Sequence, residues 1–196
     1  MQKYINLFNK IKLLDEIATQ IGYYGVQCGN EKLMDYIDMN CGGIPDGEFG
    51  QIVDPAAPEQ FLSMYVNVAE MRFAFAVTEL LKMNPAFMNA LEEFCTRTGR
   101  DMHLPAVTEL EAAFETADNF VLDGMPGVET KKIVQKDDGA IVWEVVLDTH
   151  EATWSKAGGD LKIYYRLVAC FVTGLLESSG VKMCVLDDGR FSLERF

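Results

Sequence analysis

The amino-acid sequence predicts an α+β fold, with a mainly helical stretch in residues 1–127 and a hairpin, a helix and a second hairpin in residues 128–196. Before residue 121, apolar side chains recur at helical spacing. From residue 128 the period shortens to about two, which is typical of strands. Asp-Asp-Gly triplets at residues 137–139 and 187–189 stand between alternating segments, as hairpin turns do. We therefore expect a four-stranded, mainly antiparallel sheet with helices on one face.

Composition favours one domain spanning residues 1–196. The chain has 196 residues, 49% hydrophobic and 24% charged, which suffices for one substantial core. A formal net charge of −13 disfavours nucleic acid and anionic membrane surfaces as partners. The first residues lack a signal-peptide pattern, and the five cysteines form no Cys-x-x-Cys pair, so we expect a reducing, cytoplasmic location.

Helical patterns cover residues 4–21, 30–40, 59–83, 85–99 and 105–121. Gly22 is expected to end the first helix, and Pro85 and Pro105 to begin the last two. Residues 41–58 are rich in glycine and proline and read as a connecting loop or a lid. They lack the Gly-Lys-Ser/Thr ending of a phosphate-binding loop.

The helix at residues 59–83 is apolar over most of its circumference. Its narrow polar stripe consists of Gln60, Ser63, Asn67 and Glu70. Charged residues such as Glu70 and Arg72 argue against a membrane span. Core packing explains the many aromatic and methionine side chains, although they could also line a ligand cavity.

In the first hairpin, a loop of Asp138 and Gly139 pairs Lys136 with Ile141 and Val134 with Trp143. The residues predicted to share the helix-facing side are Ile141, Trp143, Val145 and Leu147.

In the second hairpin, a turn at Asp188 and Gly189 pairs Leu186 with Phe191 and Cys184 with Leu193. This register places Cys184 in the core.

Two helices are predicted between the hairpins. Thr149 can cap a short one that contains Trp154, and Asp160 can cap a long one that reaches Glu177. Gly174 within the long helix costs roughly 1 kcal/mol relative to alanine, so it can serve the close approach of a helix, a strand or a ligand. The edges of so small a sheet also favour a homodimer, which we keep as a hypothesis.

His150 is the candidate catalytic residue. It follows a predicted strand between Asp148 and Glu151, where a carboxylate could orient a general base. The alternative, which we favour, places His150 in the exposed first turn of a helix. The two histidines and five cysteines show no metal-ligand spacing, so neither a metal nor a cofactor is predicted.

A pocket wall with polar anchors is a further hypothesis. Its candidate ligand-binding residues are Tyr164, Tyr165, Arg166, Trp154 and Trp143. Arg166 suits a small-molecule ligand that carries a carboxylate. The alternative is that the aromatic residues pack between sheet and helix and that Arg166 lies on the surface.

The C-terminal part resembles a known family. The matching residues are Trp154, Gly158-Gly159-Asp160, Tyr164-Tyr165, Gly174-Leu175-Leu176, Gly180-Val181, Asp188-Gly189-Arg190 and Glu194-Arg195-Phe196. They resemble the L-2-amino-thiazoline-4-carboxylic acid hydrolase-like family, which is similar in layout to the 4-vinyl reductase type of small-ligand-binding domain.

The resemblance implies a bacterial small-molecule-binding domain or, as the alternative, a hydrolase of cyclic C–N bonds. Where the family carries cysteines, this sequence has His150, Tyr165 and Ser192. Tyrosine and serine do not replace a thiolate at neutral pH without an activating base, so we rank binding first. A non-catalytic partner-binding protein is the third possibility. A cavity reached by Tyr165, Arg166 or His150 would favour the first two functions.

Overall fold

The computed structural model describes residues 1–186 and 189–196, and it has the predicted α+β architecture. The α-helices are α1 (Gln2–Gln27), α2 (Leu33–Cys41), α3 (Phe49–Ile52), α4 (Pro58–Met83), α5 (Phe87–Arg100), α6 (Leu110–Phe120), α7 (Glu151–Lys156) and α8 (Leu161–Leu175). The strands are β1 (Lys131–Lys136), β2 (Ala140–Val145), β3 (Val181–Val185) and β4 (Arg190–Arg195). A short 3-10 turn, Glu177–Ser179, follows α8.

Contacts divide the chain into two compact units. The first comprises Met1–Phe87, Leu122–Val128 and His150–Leu161. The second comprises Met88–Val121, Glu129–Thr149 and Lys162–Phe196. The single domain spanning residues 1–196 stays a prediction.

The first unit is helical, and its core lies between α1 and α4, which pack along each other. Side chains that are buried there include Phe8, Ile11, Leu62, Tyr65 and Ala69. In the part of the chain that the structure describes, no helix has both the length and the apolarity needed to cross a bilayer.

Gly22 does not end the first helix, contrary to our prediction, since α1 continues to Gln27. A Cβ atom at Gly22 would overlap the sulfur of Met34 on α2. The missing side chain therefore lets α2 approach α1 closely, and the residue acts in packing rather than as a helix stop.

The segment of residues 41–58 is partly ordered by α3. Glu48 and Gln51 form a reciprocal capping box at its start, with the Glu48 N–H donating to Gln51 Oε1 over 2.9 Å. The Phe49 ring meets Phe8 edge-on, 5.8 Å between centroids. This part of the segment is thus packed against the core of the first unit. A lid that stands away from the protein would not make such a contact.

The second unit contains the antiparallel sheet, with strand order β1-β2-β4-β3. Ile141 pairs with Leu193 and Trp143 with Phe191, and all four side chains are buried. The Phe114 ring of α6 lies 5.2 Å from the Trp143 ring, edge-on. The predicted helix-facing side is therefore confirmed for Ile141 and Trp143. Leu147, beyond the end of β2, is half exposed.

The register of the first hairpin is correct only next to the turn. Lys136 pairs with Ile141 as predicted, but Trp143 faces Ile133 and not Val134. The register shifts between Ile133 and Gln135, so Val134 is the extra residue of a β-bulge. Every predicted pair beyond the bulge is consequently wrong by one residue on β1.

The predicted register of the second hairpin is wrong by one residue throughout. Phe191 pairs with Val185 and not with Leu186, and Leu193 pairs with Met183. Cys184 faces Ser192 and is only partly buried, so the prediction that it lies in the core is also wrong. The predicted turn involves Asp188, which lies outside the described residues.

Helix α6 begins at Leu110 and not at Pro105. The intervening backbone is engaged elsewhere in the second unit: the Val107 N–H donates to Ser179 Oγ over 3.0 Å, and the Thr108 carbonyl accepts from Arg195. These bonds hold the segment out of a helix.

Gly174 serves the packing of α8 on α5. A Cβ atom there would overlap the carbonyl oxygen of Thr96, and one at Gly99 would overlap the carbonyl oxygen of Phe171. Of the three purposes considered for Gly174, the approach of another helix is the one observed.

Both sheet edges carry features that disfavour addition of a further strand. At the β3 edge, the Met183 N–H donates to Thr173 Oγ1 of α8 over 3.0 Å. At the β1 edge stand the bulge and three lysines, Lys131, Lys132 and Lys136. A homodimer formed through the sheet edge stays a hypothesis, and this geometry gives it no support.

Candidate functional site

His150 is buried in the first unit, with 4% of its side chain exposed. It occupies the N-cap position of α7. One turn later, Trp154 is 2% exposed and meets the Phe73 ring of α4 edge-on at 5.9 Å, which fixes this end of α7 against α4. The interpretation that we favoured, an exposed first turn, is therefore wrong.

Two carboxylates face the imidazole ring of His150. Its Nδ1 atom lies 3.0 Å from Glu70 Oε1 on α4, and its Nε2 atom lies 3.7 Å from Asp123 Oδ1. The Glu70 side chain is 4% exposed and that of Asp123 is 21% exposed. The sequence suggested Asp148 and Glu151 as carboxylate neighbours of His150, and the two carboxylates seen at its ring are those of Glu70 and Asp123. We call the cluster of Glu70, Asp123 and His150 the histidine clasp.

The clasp holds its histidine in the protonated form. Burial lowers the pKa of His150, but the nearby carboxylates of Asp123 and Glu70 outweigh burial and raise the pKa to about 9. The ring is thus an imidazolium at neutral pH. A general base needs an unprotonated nitrogen directed at the substrate, whereas here both nitrogens face carboxylates. This arrangement favours an ion cluster over the base catalysis considered for His150.

Arg72 forms a second buried ion cluster in the first unit. Its Nε lies 2.7 Å from Asp15 Oδ1, and its Nη1 lies 2.6 Å from both Asp38 Oδ1 and the Gly42 carbonyl oxygen. Burial raises the pKa of Asp15, although Arg72 acts in the opposite direction. The guanidinium therefore ties α1 and the end of α2 to α4.

The sequence contained a signal for both clusters that we did not use. Glu70 was placed in a polar stripe and Arg72 was taken only as an argument against a membrane span. Charged residues in a helix that is apolar nearly all round must be buried, and buried charges are paired. Asp123 carried no comparable signal, because it lies in a short connecting segment.

Three of the predicted pocket residues come together in the second unit. The Tyr165 ring lies 4.7 Å from Phe191, and Trp143 stacks on the same Phe191 at 5.9 Å. Tyr164 is buried and meets Tyr165 at 5.2 Å. The Tyr165 hydroxyl donates to Asp148 Oδ2 over 2.5 Å. These contacts are those of sheet-on-helix packing with a satisfied tyrosine hydroxyl.

Arg166 does not join that cluster as a ligand anchor. Its guanidinium donates to the Glu92 carboxylate of α5, and its side chain is 56% exposed. Its charge is therefore already matched on the surface. Trp154, the remaining pocket candidate, belongs to the first unit and packs on Phe73.

A cavity of about 510 Å³ lies elsewhere in the second unit, at the start of α6, the β1–β2 turn and the end of β4. It is lined by Thr108, Glu109, Leu110, Glu111, Lys136, Asp137, Asp138 and Arg195. None of these residues was a predicted site residue. We call it the turn cavity.

Several charged groups of the turn cavity are held in place. Lys136 Nζ lies 2.6 Å from Glu111 Oε1, which lowers the pKa of Glu111. Asp137 Oδ1 accepts from the N–H groups of Gly139 and Ala140 at 2.9 and 3.0 Å, and the pKa of Asp137 is lowered by its hydrogen bonds to Gln135 and to these two amides. The cavity thus presents fixed charges of both signs.

Cys41 and Cys95 are not activated thiols. Burial raises the pKa of Cys95 to about 12 and that of Cys41 to about 11, so both are neutral thiols at neutral pH. Within residues 1–186 and 189–196, no three His, Cys, Asp or Glu side chains are grouped so that they could hold a metal ion.

No protein-family model, curated protein or solved structure matches this chain. The likeness to thiazoline-carboxylate hydrolases and 4-vinyl reductase domains therefore stays a prediction.

Proposed function

We propose that the protein is a bacterial cytoplasmic small-molecule-binding domain, of the type that the C-terminal resemblance implies, and that its ligand occupies the turn cavity. The observation that carries this proposal is the cavity itself. Its volume of about 510 Å³ falls within the range of roughly 300–1,000 Å³ that is typical of small-ligand sites.

The charges of the cavity favour a small zwitterion. Four acidic residues and two basic ones line it, so the lining carries two more negative than positive charges. Glu111 is matched by Lys136, and Asp137 is engaged by the turn, which leaves Glu109 and Asp138 as the carboxylates best placed for a ligand amino group. Arg195 uses one donor on the Thr108 carbonyl and has further N–H groups for a ligand carboxylate. A carboxylate ligand thus finds its anchor at Arg195, and not at the predicted Arg166.

Hydrolysis of cyclic C–N bonds is the weaker candidate. It requires a nucleophile or a general base at the bound ligand. The turn cavity is lined by neither a cysteine nor a histidine. His150 faces two carboxylates, so it gives hydrolysis no support.

Isothermal titration calorimetry with the standard amino acids and with 2-amino-thiazoline-4-carboxylate tests the proposal. We expect at least one of these zwitterions to bind. The Glu109→Gln and Asp138→Asn exchanges remove charge-assisted hydrogen bonds of about 1.5–3 kcal/mol each, so each should raise the dissociation constant about tenfold or more.

The matched control is Glu115→Gln. Glu115 is an exposed carboxylate of α6, the helix that Glu109 precedes, and it does not line the cavity. Unchanged affinity in this control together with weakened affinity in the two cavity variants supports the proposal. The proposal would be contradicted if the two cavity variants and the Glu115→Gln control bound the ligand with equal affinity. It would also be contradicted if none of these compounds bound to the native protein. Release of hydrolysed product during the titration would reverse our ranking of binding over hydrolysis.

A further inference from the structure

We propose that the histidine clasp is a proton-dependent conformational device, which holds the three chain segments of the first unit together while His150 is doubly protonated and releases them when it is not. This inference is independent of the proposed ligand and its cavity, because no residue of the clasp lines the turn cavity.

The three residues of the clasp come from three different segments of the chain. The first unit is assembled from Met1–Phe87, Leu122–Val128 and His150–Leu161. Glu70 belongs to the first of these segments, Asp123 to the second and His150 to the third. The clasp thus supplies one ionisable side chain from every segment, and its contacts join the third segment to α4 and the second segment to the third.

The protonation state of His150 sets the number of N–H donors on its ring. An imidazolium carries an N–H on both ring nitrogens, so it presents a donor to the carboxylate on each side. A neutral imidazole donates from one nitrogen only, so either Glu70 or Asp123 then faces a lone pair. Glu70 is nearly inaccessible to water, and a buried carboxylate without a donor is costly. Loss of a single proton therefore loosens one of the two connections.

Negative charge lies on both sides of the imidazole ring. Two ionisable groups that face His150 are Glu70 from α4 and Asp123 from the 122–128 segment, and both are acidic. On α7 itself the neighbouring acidic residue, Glu151, is exposed. These charges outweigh the effect of burial, and the resulting pKa of about 9 keeps the clasp closed at neutral pH.

The direction of the pH effect follows from this pKa. The folded-state pKa of His150, about 9, lies above the ordinary value of 6.5. The stabilisation is therefore complete below pH 6.5 and is lost as the pH rises through about 9. The clasp opens on the alkaline side.

Two reporters make the clasp observable. The chain has two histidines, so a His103→Asn variant leaves His150 as the only imidazole in a nitrogen-15 NMR titration. Asparagine suits position 103 because the backbone there has a φ of 50°. The chain also has two tryptophans, so Trp143→Phe leaves Trp154, one turn after His150 on α7, as the only fluorescent indole.

We expect His150 to titrate with a midpoint near 9 and the Trp154 emission maximum to move to longer wavelength over the same pH interval. Glu70→Gln and Asp123→Asn should each lower the midpoint by about one pH unit or more, because each removes one of the charges that raise it. Glu31→Gln, an exposed carboxylate of the first unit, is the control and should leave the midpoint unchanged.

A midpoint at or below 6.5 in the protein with native Glu70 and Asp123 would overturn the proposal. So would a Trp154 emission maximum that does not move while His150 titrates, or one that moves equally in a His150→Gln variant. If the Glu70 or Asp123 variants fail to fold, the His150 midpoint and the Trp154 emission of the protein that retains both carboxylates still test the proposal.

Discussion

The imidazole Nδ1 of His150 lies 3.0 Å from the Oε1 atom of Glu70, and each of the two side chains is only 4% exposed. Two ionisable groups so far removed from water are stable only as a pair. Removing Glu70 leaves the buried Nδ1–H of His150 without an acceptor and only the more exposed Asp123 beside the imidazolium, which is far more costly than losing a surface ion pair.

Glu70→Ala should therefore lower the free energy of unfolding by about 3–5 kcal/mol. Urea denaturation at pH 7 measures this loss. Glu31→Ala, which removes an exposed carboxylate from the same unit, should change the free energy of unfolding by about 0.5 kcal/mol or less. Equal losses in the two variants would show that Glu70 is not a buried ion-pair partner.

The difference in stability between the native chain and a His150→Gln variant should depend on pH. The pKa of His150 rises from 6.5 to about 9 on folding, which corresponds to on the order of 3 kcal/mol. This part of the difference should be complete at pH 6 and mostly lost at pH 10. Taking the difference between the two proteins removes the titrations that they share. If the difference in the free energy of unfolding grew as the pH rises, the pKa of His150 would not be raised on folding.

Arg72→Lys should destabilise the first unit although it keeps the charge. The guanidinium reaches Asp15, Asp38 and the Gly42 carbonyl from a planar fork, and an ammonium group on a lysine cannot reproduce that geometry. We expect a loss of about 2–3 kcal/mol in urea denaturation, which corresponds to one or two charge-assisted hydrogen bonds. Lys12→Arg, at a residue whose Nζ lies 3.9 Å from the fully exposed Asp46, is the control and should have little effect.

Gly174→Ala should destabilise the second unit by about 2–3 kcal/mol, because the added methyl group overlaps the Thr96 carbonyl oxygen and α5 must move away. Thermal unfolding followed by circular dichroism measures the effect. Gly50→Ala is the control, since a Cβ there has no neighbour within 4 Å. A drop in the melting temperature of the same size in both variants would exclude close helix packing as the role of Gly174.

Much of the fold could be predicted because helices and strands differ in their apolar period and because an Asp-Gly pair signals a hairpin. Strand register could not be predicted to the residue. No side chain marks Val134 as a bulge, and one extra residue shifts every later pair. Gly22 was misjudged because a glycine that ends a helix and one that admits a neighbouring helix look alike in a single sequence.

The candidate sites were less predictable than the fold. The clasp joins Glu70 to Asp123 and His150, which are far apart in the chain, and only tertiary structure brings them together. The turn cavity combines the start of α6, a hairpin turn and the end of β4, none of which carries a recognisable binding motif. The sequence did contain one signal, namely that Glu70 and Arg72 are charged residues in an apolar helix. Such charges predict buried partners but do not identify them.

The location of ligand binding is the most direct test of the proposed function. Amide chemical shifts of the nitrogen-15-labelled protein can be followed while 2-amino-thiazoline-4-carboxylate or an amino acid is added. We predict that the largest shifts fall at Glu109, Leu110, Asp138 and Arg195, which line the turn cavity. Saturable shifts centred instead on Tyr164, Tyr165 and Arg166, with none at the turn cavity, would contradict the proposed site.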